Sequence, residues 1–147
     1  MSSTTKQMVE SYAEQLGNLG DIEKQWAVKS LHHAETYEKL IKAIPGSTLK
    51  LTKFDKDIYD SFKKHFDLKV DVLDTEDFKS EALKSKWRDF IKEFEHVADY
   101  NFGTLVRIDC KKGYTEENTL FVLRVQFYAI EITRNIEKLN DSFVVKK

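Results

Sequence analysis

Four histidines, at positions 32, 33, 65 and 96, and a single cysteine, Cys110, are the residues best suited to hold a metal or attack an electrophile. Their spacing argues against both roles. Tetrahedral zinc sites draw on Cys-x-x-Cys pairs or on histidines at short fixed intervals, and neither pattern occurs here. Adjacent helical positions diverge by about 100°, so His32 and His33 cannot grip one ion as a local pair. His33, on an apolar stripe, reads as a packed, hydrogen-bonded ring. Cys110 stands between Asp109 and Lys111 without the pattern of an assisting histidine, and reads as a structural thiol. Asp55-Lys56-Asp57 has the form with which many sugar transferases hold a divalent cation. Those enzymes also need a nucleotide-binding α/β domain that 147 residues leave no room for, and Asp55 reads as a helix cap. Asp74, Glu76 and Asp77, like Glu116 and Glu117, stand where helices are expected to begin, and there negative charge offsets the helix dipole. Gly103 and Gly113 belong to no Gly-rich phosphate loop. The expectation is a protein with no catalytic residues, no metal and no cofactor.

A different chemistry is concentrated in DYNFGTLVRIDCKKGYTEENT, residues 99–119. Tyr100, Phe102 and Tyr114 offer aromatic anchors. Asn101 and Gly103 allow a turn or a close backbone approach. Arg107, Asp109 and, further on, Arg124 offer directional charged hydrogen bonds. Tyrosine and arginine are enriched at the energetic centres of interfaces, so these eight residues form the candidate binding surface. The same rings can also pack inward with the charges paired, and the residues alone leave the two readings level.

The supporting chain is that of one globular domain. Hydrophobic residues make up 41% and charged residues 33%, too apolar for a disordered chain. A net charge of -1 supplies no field to attract nucleic acid or an anionic membrane. One cysteine forms no internal disulfide, and no apolar run approaches the ~20 residues that span a bilayer. MSSTTKQMVESYAEQ lacks the apolar core of a signal peptide. A monomer in the cytoplasm, binding neither nucleic acid nor membrane, is the expectation.

The spacing predicts a mainly helical single domain with room for one short strand pair. Residues 1–20 read as a short helix, over 4–16, or a flexible arm, residues 21–140 as the helical domain, and 141–147 as a flexible tail. Asp21 caps a helix carrying Trp26, Ser30, His33, Tyr37, Leu40, Ile41 and Ile44, ended by Pro45-Gly46. A brief strand fits Leu49 and Leu51. Asp55 begins a helix with Ile58, Tyr59, Phe62 and Phe66, and LKVDVL alternates as extended chain does. Thr75 starts a helix whose stripe is Leu83, Trp87, Phe90, Ile91, Phe94, Val97 and Ala98, with Lys84, Lys86, Arg88, Lys92 and Glu93 facing away. Residues 119–139 are rich in strand formers. Their unbroken length and the cap at Thr115 nevertheless favour one buried helix.

VDVLDTEDFKSEALKSKWRDFI followed by DYNFGTLVRIDCKKGYTEENTLFVLRVQFYAIEITRN closely resembles the eukaryotic polysaccharide biosynthesis domain-containing protein family. HAETYEKLIKAI and LKLTKFDKDIYDSF fit it too, so the resemblance spans roughly residues 26–139. It implies a small, mainly helical cytosolic chaperone that assists folding of translation elongation factor 1-alpha. The implied client is that factor's immature GTP-binding domain, captured during or soon after synthesis, with the ribosome as one setting. The family label itself suggests the alternative, a sugar- or nucleotide-modifying enzyme. The resemblance carries over no catalytic residues.

Overall fold

Residues 21–144 are described in the structure, a computed structural model, with side chains from Val28 onward. The short helix expected over residues 4–16 and the side chain of Trp26 lie outside the described residues. Helix α1, Asp21–Ala43, ends before Pro45, which disfavours helical backbone in the residue preceding it. Leu31, Ala34, Tyr37 and Ile41 form its buried stripe, flanked by Ser30 and Glu38. Leu40 and Ile44, expected on that stripe, are exposed; they lie on the flank of a face centred on Ala34 and Ile41.

A 3-10 turn, Gly46–Thr48, follows, and the brief strand expected at Leu49 and Leu51 does not form. Helix α2, Asp55–His65, buries Ile58 and Phe62. Asp55 does not cap this helix. Its carboxylate turns back to accept from the amides of Leu51 (2.8 Å) and Thr52 (2.6 Å) and from the Thr52 hydroxyl (2.7 Å), closing the preceding loop. The helix expected from Thr75 is two elements. Asp74 caps a 3-10 turn, Thr75–Phe78, and Ser80 caps helix α3, Glu81–Glu93. Two caps so close together divide the segment, and the Trp87 indole secures the division by donating to the Asp77 carbonyl at 3.0 Å.

Strands β1, Gly103–Arg107, and β2, Thr119–Leu123, pair antiparallel, with Gly103 opposite Leu123 and Arg107 opposite Thr119. An isolated antiparallel bridge joins Val72 to Asp109 outside these strands, so of LKVDVL, expected to be extended, Val72 pairs as a strand residue does while Val70 and Asp71 form a bend. Helix α4, Arg124–Ile136, completes the domain. The single helix expected over residues 119–139 is therefore wrong in its first five residues and also ends early, at Ile136. Thr115 does accept from the Asn118 amide, at 3.2 Å, but it closes only a 3-10 turn, Glu116–Asn118. The β-branched and aromatic run TLFVL then pairs with β1, and the helix starts where the Gln126 side chain accepts from the Leu123 amide at 2.9 Å. The mainly helical domain with one short strand pair stands.

Helix α4 is central, with nine buried residues out of its thirteen. An aromatic cluster of Phe62, Phe66, Trp87 and Phe90 fills the space between α2 and α3. Residues 141–144, read from the sequence as the start of a tail, begin with a 3-10 turn, Asp141–Phe143.

Candidate interaction site

The eight candidate residues divide between the two ends of the β-hairpin. Gly103 and Arg107 are four residues apart along β1, about 14 Å in extended chain. Tyr100, Asn101, Phe102, Gly103 and Arg124 gather at the first end. Arg107, Asp109 and Tyr114 belong to the second.

At the first end the chain leaves α3 through turns and reverses at Asp99, whose φ of 59° is left-handed. That conformation is costly for a side chain with a Cβ, and aspartate tolerates it better than most. The Arg124 and Val125 amides donate to the carbonyls of Phe102 (2.7 Å) and Tyr100 (3.0 Å), fastening the turn to the start of α4. A Cβ at Gly103 would run into the Phe121 ring, which lies across the glycine from the opposite strand. Helix α1 closes against this end. Ser30 donates to the Gly103 carbonyl at 2.8 Å, and His33 Nδ1 lies 2.6 Å from the Thr104 hydroxyl.

Between α1 and the turn lies a cleft of about 590 Å³, lined by Val28, Lys29, His32, His33, Thr36, Asp99, Phe102, Gly103 and Arg124. Val28 is 58% exposed at its rim, and Phe121, on the neighbouring strand, is 53% exposed. Arg124 pairs with Asp99 at 3.3 Å, while its Nε is buried without a protein partner. Burial, with the Arg124 charge beside it, lowers the His33 pKa to about 4. The ring is therefore neutral at physiological pH. The histidine expected to be packed and hydrogen-bonded is so, with its ring edge against Phe127. The cleft offers apolar surface, one aromatic ring, a lysine and a charge pair.

The second end is interior, and this corrects the reading of Arg107 and Tyr114 as surface anchors. Arg107 is 0% exposed and Tyr114 is buried. Arg107 donates to the Cys110 carbonyl (2.8 Å), to Asn140 Oδ1 (2.6 Å) and to Glu131 (3.3 Å), and it lies over the rings of Tyr114 and Phe143. Asp109 is half-buried, but it organises its own loop by accepting from the Lys111 amide at 2.9 Å. Asn118 holds the same loop through the Asp109 amide and the carbonyls of Asp109 and Gly113.

The centre of this network is Glu131, which the sequence reading missed. Its carboxylate accepts from Tyr37 (3.0 Å), Arg107 (3.3 Å), Asn140 (2.9 Å) and Arg134 (2.7 Å). Burial by itself would raise its pKa. The Arg107 and Arg134 charges, with the hydrogen bonds of Asn140 and Arg134, outweigh that and hold it at about 2. Arg134 also donates to the carbonyls of Val70 (2.6 Å) and Arg107 (2.8 Å), tying α4 to the extended segment and to β1. Asn135 joins Asn140 to the Tyr37 hydroxyl. A signal for this was available: a helix apolar on nearly all sides carries Glu131, Arg134 and Asn135 in AIEITRN, so those groups had to be buried with partners.

The structure places the remaining chemical candidates apart. Cys110 is buried, and burial pushes its thiol up, away from the thiolate a nucleophile needs. His65 meets Glu93 at 2.7 Å on the surface, and His96 packs edge-on to Phe54. Among the described residues no group of three or more His, Cys, Asp or Glu converges as metal ligands do.

The family model described as PBDC1 protein matches residues 22–145. Curated relatives include Protein PBDC1 of Mus musculus, 53% identical over 90% of this chain and 68% of that protein, and of Homo sapiens, 51% identical over 90% of this chain and 58% of that protein. The chain thus spans less than two thirds of the human relative. The Protein PBDC1 homolog of Saccharomyces cerevisiae is 49% identical, over 92% of this chain and 97% of that protein. A solution NMR structure of a Saccharomyces cerevisiae protein superposes with a TM-score of 0.79 at 48% identity, over 88% of this chain and 93% of that one.

Proposed function

The chain belongs to the PBDC1 protein family, and we propose that it works there as a dedicated cytoplasmic chaperone, not an enzyme, for newly made translation elongation factor 1-alpha. The observation that carries the binding reading is the cleft between α1 and the turn at residues 99–103. It combines exposed apolar surface at Val28 with the Phe102 ring and the Arg124–Asp99 pair. An incomplete GTP-binding domain exposes apolar surface that such a cleft can cover. The charge pair supplies the directional contact that separates one client from other unfolded chains. Release needs only that the closed client bind more weakly than the open one. The factor itself is named by the resemblance of the sequence strings; the cleft supports binding of a protein and does not specify which.

The test is capture of the newly translated GTP-binding domain of that factor from a translation lysate by the tagged chain. Val28→Asp and Phe102→Ala should each weaken capture by about 5- to 100-fold, the range of interface centres, with an unchanged far-ultraviolet spectrum. Equal capture by folded variants moves the binding face away from this cleft. Failure of the parent chain to capture the factor removes it as client.

A further inference from the structure

We propose that a second groove, between residues 46–53, α2 and α4, docks a short acidic peptide segment carrying an apolar anchor. The groove has a volume of about 570 Å³ and is distinct from the cleft at α1, so it does not rest on the chaperone reading. Its floor is apolar, built from Leu49, Ile132 and Ile136, and Ile136 is 47% exposed at its lip. An exposed β-branched side chain at the end of a central helix is a natural anchor point for a partner's leucine or phenylalanine.

Charge selects the partner. Lys50, Lys53 and Lys56 line the groove. They face two lining aspartates, so the lining carries one positive charge in excess: Asp60 pairs with Lys56 at 2.8 Å, and the Asp55 carboxylate is turned into the loop, onto the Leu51 and Thr52 amides. Lys50 and Lys53 have no ion-pair partner among the described residues, and both are exposed. Two exposed ammonium groups outside any ion pair, beside an apolar floor, complement a segment with acidic residues next to an apolar one. Surface lysines alone mark only a solvated face; here the loop that carries them is fixed. Asp55 pins its end through three hydrogen bonds. Its start is set by Gly46, where a Cβ would collide with the buried Asn135 amide. The lysines are thus presented by a closed loop, which lowers the ordering cost of binding.

The probe is a labelled short peptide of leucines separated by Asp and Glu, beside a counterpart with lysine at every acidic position. Amide NMR spectra of the full chain should shift at residues 46–56 and around Ile136 with the acidic peptide only. Lys50→Glu combined with Lys53→Glu changes exposed groups and should weaken binding by roughly tenfold or more, and added salt should do the same. Equal binding of the lysine peptide, shifts confined to another face, or concentration-dependent dimerisation through this groove would each overturn the proposal.

Discussion

The two ends of one β-hairpin treat the same residue types in opposite ways. At Gly103 an arginine, an aspartate and an aromatic ring border an open cleft, and the Asp99 side of the Arg124–Asp99 pair is half exposed. At Arg107 an arginine, a glutamate and the Tyr114 ring are sealed from water, and the Glu131 carboxylate takes four hydrogen bonds. Exposed pairs contribute about 0–1 kcal/mol. Breaking a buried pair costs about 3–5 kcal/mol, because the surviving charge is stranded. Residue type therefore does not distinguish a binding surface from a structural lock. What distinguishes them is how many partners each charge already has.

The largest effect expected from this contrast is loss of a network charge. Arg107→Ala should cost about 3–5 kcal/mol in denaturant unfolding, whereas Arg124→Ala should cost about 1 kcal/mol or less. Similar losses at both positions would erase the distinction between the ends.

The glycines test how rigid each end is. Gly46→Ala drives a methyl group into Asn135, itself held by Asn140 and Tyr37, and should cost about 1–3 kcal/mol. Gly103→Ala meets only the far edge of the Phe121 ring, which is exposed and free to swing aside, and should cost less in the same measurement.

Acid should separate the two ends as well. The His33 pKa is lowered from 6.5 to about 4, so its contribution is complete above pH 6.5 and is lost as pH falls through about 4. The Glu131 pKa is lowered from 4.5 to about 2, so the network's contribution is complete above pH 4.5 and is lost toward pH 2. Stability measured against pH should show the first component vanish in His33→Gln and the second in Glu131→Gln, each measured against its own value at pH 7.

The smallest effect concerns two left-handed residues, Asp99 near the cleft and Lys138 before the network's Asn140. Lys138 occupies the position after helix α4 that glycine normally fills: the Leu139 amide donates to the Arg134 carbonyl at 2.8 Å, and the Lys138 amide to Asn135 at 3.2 Å. Lys138→Gly should raise stability by about 0.5–1 kcal/mol. Asp99→Gly should gain less, since it also removes the partner of Arg124.

Much of this was legible in the chain. The end of α1, the Leu83–Trp87–Phe90–Ile91 stripe of α3 and the packed His33 follow from spacing and from punctuation by proline, and the long family-like strings carry the kinship; Ala98, expected on that stripe, lies beyond the helix end at Glu93 and is exposed. The TLFVL strand was not legible, because cap and length argued for helix while the partner strand that decided otherwise lies some fifteen residues earlier. Nor was the fate of Arg107. Its burial depends on Glu131 and Asn140, which sequence proximity does not bring beside it. Five of the eight candidate residues do collect at one end of the hairpin. They do so because the 99–103 turn is fastened to the start of α4 by backbone bonds that no local pattern announces.

The Schellman-type turn at Lys138 has a consequence for the order in which the protein is made. It delivers Asn140, which donates to Glu131 and Asn135 and accepts from Arg107. Tyr37, Arg107 and Glu131 are all synthesised before it, and during that interval the carboxylate and guanidinium groups lack one of their partners. Closure of the core is thus timed to the emergence of Asn140, and a fragment ending before it leaves Arg107 and Glu131 each one partner short. Such a fragment should be cleaved faster by proteases than a chain that includes Asn140, so the last helical turn acts as the closing clasp of the core.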